Sequence, residues 1–222
     1  SQSEYMEVAF KRKPVKVCVI PPYDLKSKKH PSSWNFTSSY DSYSFEDQKG
    51  DCLVEIYSYS PMIKVFINNK LIKEFKRNTK CFNKFKIKYV PGVLEVKCFD
   101  KNNYLIGIDT LVTASKIDKI NITPEEKIDD NQDIIFVHFE HTDENNVLKP
   151  FEDFNLEIVN IENAKILRLA NPCAYNKDGY LKNSTRSYDG KILGIFKKEN
   201  INKPIKLTIC TDFDTNRIIE IK

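Results

Sequence analysis

"KFKIKYVPGVLEVKCFD", Lys84 to Asp100, alternates lysine with aromatic or aliphatic residues, turns at Pro91-Gly92, and alternates again. Phe85, Ile87 and Tyr89 fall on one side of an extended chain, and Lys84, Lys86 and Lys88 on the other. After the turn Leu94, Val96 and Cys98 repeat the pattern against Glu95 and Lys97. A period of two is the signature of a strand with one dry and one wet face. The stretch predicts two antiparallel strands joined at a Pro-Gly turn.

The same reading extends in both directions. "MIKVFINNKLIKEF", Met62 to Phe75, is a predicted hairpin, because Asn68-Asn69 tolerates the left-handed turn conformation. "FDKNNYLIGID" places a polar turn between two more strands. A second strand series follows "TASKIDKI": "DIIFVHFEHTDENNVLKPF" reads as a strand, a polar turn and a return, and "FNLEIVNIENAKILRLAN", "GKILGIFKK", "IKLTICTD" and "RIIEIK" supply further strands. Short strands with regular turns and no long amphipathic helix predict an all-β protein of two consecutive antiparallel β-sandwich domains, immunoglobulin- or fibronectin-like. The expected boundaries are 1–115 and 116–222. Only the opening "EYMEVAFKRK" reads as helical.

Composition bounds the function. With 222 residues, 41% of them hydrophobic and 30% charged, the chain fits two compact globular domains. No apolar run approaches a membrane span, so no membrane partner is expected. The net charge of +4 is modest and the lysines are scattered, so nucleic acid is not expected either. Six cysteines occur without a CxxC pair, which removes zinc-ribbon and thioredoxin readings. Cys18, Cys52, Cys98 and Cys210 lie inside predicted strands as small buried hydrophobes, which favours reduced thiols and a cytoplasmic location. The first residue is Ser rather than Met, and the chain is expected to begin inside a longer protein.

Chemistry-bearing patterns are sparse. His138 and His141 sit on one predicted strand at an odd spacing, which sends them to opposite faces and disfavours a shared metal. "DFDTN", Asp212 to Asn216, opens like a calcium loop but has Arg217 where that loop needs glycine; an Asp/Asn turn accounts for it. There is no GxSxG elbow, no clustered glycine and no carboxylate pair with a distinguishing neighbour. No catalytic residue, no metal site and no cofactor is assigned.

"EYMEVAFKRKPVKVCVIPP" followed by "HPSSWNF" resembles the exit from the catalytic barrel of a glycoside hydrolase family 2 enzyme, the group of β-galactosidases and β-glucuronidases. "VEIYSYSPMIKVFINNKLIKEFK" and "FKIKYVPGVLEVKCFDKN" resemble hairpins of the family's next module, with Asn69 where the family usually has glycine. "DIIFVHFEHTDENNVLKPF" and "LRLANPCAYNKDGYLKNSTRSYDGKILGIFKK" resemble its terminal immunoglobulin-like module. The resemblance covers nearly the full chain in order. It implies a C-terminal accessory region whose partner is the N-terminal barrel of the same polypeptide, with residues 1–13 a barrel-exit segment. The family's catalytic glutamates belong to that barrel, the acid/base following an asparagine. No Asn-Glu dipeptide occurs here, so the resemblance implies a fragment inactive alone. It leaves open a β-linked glycan as ligand, and an oligomer.

The single tryptophan, Trp34, lies in the polar stretch "HPSSWNF". One reading makes it a platform for a pyranose, with His30, Asn35 and Tyr40 supplying polar contacts. The others make it a domain joint or an ordinary core residue. A different class of function, a free-standing carbohydrate-binding or adhesive immunoglobulin-like protein, also fits the strand pattern.

Overall fold

A computed structural model describes residues 2–22, 39–45, 49–126, 129, 131–173 and 179–221. His30, Trp34 and Asn35 lie outside the described residues, and so does the question of what the indole touches.

The protein is all-β, built from four antiparallel sheets in two compact units, Ser1–Thr113 and Ala114–Lys222. The first unit opens with helix α1 (Gln2–Ala9) and contains β1 (Lys16–Ile20), β2 (Asp51–Tyr57), β3 (Met62–Ile67), β4 (Lys70–Lys76), β5 (Phe82–Lys88), β6 (Val93–Phe99) and β7 (Leu105–Val112). Its sheets run β1-β2-β5 and β4-β3-β6-β7. The second contains β8 (Lys119–Pro124), β9 (Ile134–Thr142), β10 (Asn155–Glu162), β11 (Ala164–Ala170), β12 (Ser184–Arg186), β13 (Lys191–Lys198), β14 (Ile205–Thr211) and β15 (Arg217–Ile221). Its sheets run β12-β10-β14-β15 and β11-β13-β9-β8. The described α1 is too short and polar to cross a membrane.

Alternation sorts the side chains as the opening stretch predicts, but its two strands do not pair with each other: the Pro91-Gly92 turn carries the chain from β5 in one sheet to β6 in the other. Leu94, Val96 and Cys98 are fully buried, while Lys84, Lys86 and Lys88 face solvent. In the second unit Val137, Phe139, Ile192 and Phe196 from one sheet meet Leu156, Leu207 and Ile209 from the other, so each sheet covers the apolar face of its partner. β8 was not anticipated; its "KINITP" is too short and too polar to alternate clearly. The return after the Asp143 turn makes a single bridge, Thr142 to Leu148, rather than a full strand.

Asn68 and Asn69 both have positive φ, 48° and 65°, as a two-residue hairpin turn whose twist matches the strands requires. Asn68 also reaches across to the Pro91-Gly92 turn, which connects β5 of one sheet to β6 of the other. Its Oδ1 accepts from Val93 N at 2.8 Å, its Nδ2 donates to Pro91 O at 3.0 Å, and Gly92 leaves the space it occupies. A Cβ on Gly92 would lie 1.9 Å from that oxygen.

Bulges break the alternation in four places. Ile72 in β4, Ile106 in β7 and Val159 in β10 are extra residues without a register partner, and so is Leu167 in β11. The first three are exposed apolar side chains. A bulge re-aims one side chain and twists the strand, and β4, β7 and β11 are all edge strands.

Candidate functional site

Of the four candidates Trp34, His30, Asn35 and Tyr40 only Tyr40 is described. It is half-buried, and its backbone pairs with Val19, N to O at 2.8 Å and O to N at 3.0 Å. Beside it Asp41 accepts a hydrogen bond from Cys18 Sγ at 3.1 Å and pairs with Lys16 Nζ at 3.2 Å.

The densest group of chemistry-bearing side chains lies elsewhere, in the second unit, and consists of Asp118, His141, Lys149 and Glu152. Backbone geometry assembles it. β8 pairs with β9 so that Ile120 faces His141, which leaves Asp118 just beyond the strand end. Asp143 then reverses the chain: its Oδ1 accepts from Asn145 N at 2.8 Å and Val147 N at 2.9 Å, and Asn146 adopts a φ of 62°. The reversal lays Lys149 beside His141, N to O at 2.9 Å. Gly190 covers the place, since any Cβ there would lie 2.6 Å from the Lys149 carbonyl.

His141 has no solvent-exposed surface. Its Nδ1 donates to the Glu152 carbonyl at 2.8 Å, and its Nε2 is 3.0 Å from Asp118 Oδ1. Both partners are oxygen acceptors, so the two contacts are satisfied together when the ring carries both protons. Phe213 stacks on the ring at 4.5 Å, and Phe154 meets it edge-on at 6.1 Å. The Lys149 ammonium, itself buried, sits 2.5 Å from Asp118 Oδ1 and 3.8 Å from Glu152 Oε2. Burial alone would raise the Asp118 carboxyl, but hydrogen bonds from Lys149 and His141 outweigh it and hold it below its ordinary value.

Asp118, His141 and Glu152 are close enough to share a cation. The ammonium of Lys149 takes that role from within the chain, lying against both carboxylates. No hydroxyl or thiol nucleophile bonds to this His among the described residues. The cluster is therefore equipped to hold charge in place, and it lacks the nucleophile that covalent chemistry would need.

The other sequence candidates resolve separately. His138 is on the opposite face of β9 and meets Glu125 at 2.7 Å, so the two histidines do not converge. The Asp212–Asn216 turn engages its carboxylates apart: Asp212 Oδ2 accepts from Asn155 N at 2.8 Å, and Asp214 pairs with Arg217 at 3.2 Å. That turn also carries the Phe213 ring onto His141, a role that its sequence does not announce. All six cysteines are free thiols. Burial pushes the Cys52 thiol up to about 12 and raises Cys18 and Cys98 as well, so these three stay protonated and unreactive. Cys210 is half-buried rather than fully enclosed.

A cavity of about 490 Å³ in the first unit lies where α1 meets the sandwich, walled by Val8, Pro14, Tyr59, Pro61 and the bulge-turned Ile106. The chain leaving α1 is pinned there: Ser58 Oγ donates to the Pro14 carbonyl at 2.7 Å. Tyr59 and Ile106 are about half exposed, and Phe10 at the end of α1 is 67% exposed.

No protein-family model and no curated protein matches the sequence. Solved structures do match the fold. A glycoside hydrolase family 2 member from Bacteroides cellulosilyticus superposes with a TM-score of 0.83 over 100% of this chain, at 21% identity. A β-glycosidase from Bacteroides vulgatus gives 0.67 over 93% at 17% identity, and a β-glucuronidase from glycoside hydrolase family 2 gives 0.64 over 81% at 13% identity. The chain spans 30%, 24% and 19% of those three chains. It therefore has the fold of a part of these enzymes, under a third of their length.

Proposed function

We propose that the chain is the non-catalytic accessory region of a family 2 β-glycosidase, β-galactosidase-like in its resemblance, acting in carbohydrate metabolism. The observation that carries this reading is the superposition of the whole chain, both units in order, on 30% of a single glycoside hydrolase family 2 chain. The remainder of such an enzyme would hold the catalytic barrel, and this chain would brace it and meet a β-linked glycan at its rim. The exposed apolar side chains around α1, Phe10, Tyr59 and Ile106, support the bracing role, because a surface of that kind is normally covered by a protein partner. The free thiols agree with a cytoplasmic location.

Two measurements test it. Purified protein incubated with chromogenic galactosides and glucuronides is expected to release no chromophore, and robust turnover by clean protein would overturn the reading. The reading frame upstream of Ser1 is expected to show strand–helix alternation carrying an Asn-Glu dipeptide; tandem sandwich domains there would replace the proposal with an adhesive protein.

A further inference from the structure

On the first unit β4 and β5 are both edge strands, one from each sheet, and a slot of about 490 Å³ runs between them. Its floor and walls are aliphatic: Ile67 and Ile87 are almost buried, while Ile72 and Val90 are 41% and 44% exposed. Ile72 is there because the β4 bulge turns it out of the alternation. At one end Phe75 and Phe85 close the gap edge to face, ring centroids 5.6 Å apart.

The rim is basic. Lys70, Lys86 and Lys88 line the slot, and none of them has an ion pair among the described residues. Lysine on an edge strand normally discourages pairing with another chain. Here, however, the lysines surround an apolar trough instead of covering it, and they repel a second copy of the same face. What satisfies both features at once is a segment that alternates acidic and aliphatic residues.

We propose that this slot binds an extended acidic segment of a partner protein, added as a strand beside β5. β5 is the better template, because its register with β2 is unbroken from Phe82 to Lys88, whereas β4 carries the bulge. The added strand would hydrogen-bond to the backbone edge of β5 opposite β2, which pairs with no strand among the described residues. Its aliphatic side chains would point down onto Ile67, Ile72 and Ile87, and its carboxylates would reach Lys86 and Lys88. The apolar floor supplies affinity, and the lysines select sign and register. This site is independent of the glycosidase reading, since it lies apart from the cavity at α1 and needs no catalytic barrel.

The test uses a fluorescein-labelled, end-capped peptide alternating valine and glutamate, followed by fluorescence anisotropy at low salt. Binding is expected, together with slowed amide exchange along β5. Lys86→Glu/Lys88→Glu is expected to weaken the peptide at least tenfold with an unchanged melting temperature, and to gain affinity for the valine–lysine counterpart. Ile72→Asp, which places a negative charge on the slot wall, is expected to weaken the valine–glutamate peptide as well. The proposal fails if the valine–glutamate peptide does not bind, if the charge-reversed protein binds it equally, or if the valine–lysine peptide binds the unmodified protein as well. Tighter binding of a single-stranded oligonucleotide or of anionic vesicles would also overturn it, by showing that the lysines act as a general polyanion surface.

Discussion

Pro14 rests on Gly107 so closely that a Cβ on the glycine would lie 2.4 Å from the proline Cγ. This contact, with the bond from Ser58 to the Pro14 carbonyl, seats the chain leaving α1 on β7. Gly107→Ala is therefore expected to destabilise the first unit by about 1–3 kcal/mol, the usual cost of overpacking. Thermal unfolding checks it, and a melting temperature equal to that of the unmodified protein would show that the segment from α1 lifts away freely.

The buried ammonium of Lys149 and the partly exposed carboxylate of Asp118 form the centre of the charge cluster. Neutralising one leaves the other charge uncompensated beside a buried imidazole, whereas neutralising both leaves His141 with uncharged oxygen partners. Lys149→Met is expected to cost about 1–3 kcal/mol, below the usual range for a fully buried pair because Asp118 is partly open to solvent. In a double-mutant cycle with Asp118→Asn the coupling is expected at about 1 kcal/mol or more. Additive losses would show that the two groups do not act together.

Acid should expose the charge on Asp143. Burial alone would raise its carboxyl, but the amides of Ser115, Val147 and Asn145 outweigh that and hold it below its ordinary value. A carboxyl lowered in the folded state adds stability that is fully present above the unfolded value, about 3.9, and is lost as pH falls through the folded one. Melting temperature is therefore expected to fall progressively below about pH 4, with Asp118 contributing in the same direction. Asp143→Asn keeps an acceptor but no charge, so its melting temperature should be lower at neutral pH and less sensitive to acid. Parallel pH curves for the two proteins would contradict this assignment.

Two neighbouring tyrosines make opposite predictions. Tyr89 Oη donates to the Tyr43 carbonyl at 3.2 Å and accepts from Phe45 N at 3.4 Å, while the buried Tyr43 hydroxyl makes no hydrogen bond of full geometry among the described residues and meets only the Val90 backbone amide. Removing a bonded hydroxyl costs about 1 kcal/mol, and removing an unsatisfied one costs nothing or stabilises. Tyr89→Phe is expected to lower stability, and Tyr43→Phe to leave it equal or higher. Denaturant titration separates them; equal losses would mean that the Tyr43 hydroxyl is satisfied after all.

The strand order along the chain was legible because alternation is a local property of the sequence, and Lys84–Asp100 displays it without interruption. Where a bulge intervenes, as at Ile72 and Ile106, the local pattern does not tell where a side chain goes: these two apolar residues are 41% and 46% exposed and wall the two cavities. A bulge answers the twist of the finished sheet, and no period of two encodes it. The charge cluster was hidden for a different reason. Asp118, His141, Lys149 and Glu152 come from a strand end, a strand and a return, and only the sheet register brings them together. One signal was available: the Asp143–Asn146 turn folds the chain back and ends three residues before Lys149, which is enough to place an ammonium next to the histidine. The sugar-platform reading, one of three for Trp34, rested on side chains in one loop, and Tyr40, the described member, is held by backbone pairing to Val19.

The grip of Asn68 on the turn at Gly92 ties the tip of the β3–β4 hairpin to the tip of the β5–β6 connection between the two sheets, making one cooperative element. Neither tip can fray without releasing the other, so the Val93 amide should exchange with solvent at the rate of the whole corner rather than of a lone exposed bend. The same lock restricts how the sequence can drift: a side chain can enter position 92 only after position 68 has given up its amide, so the two sites must change in step.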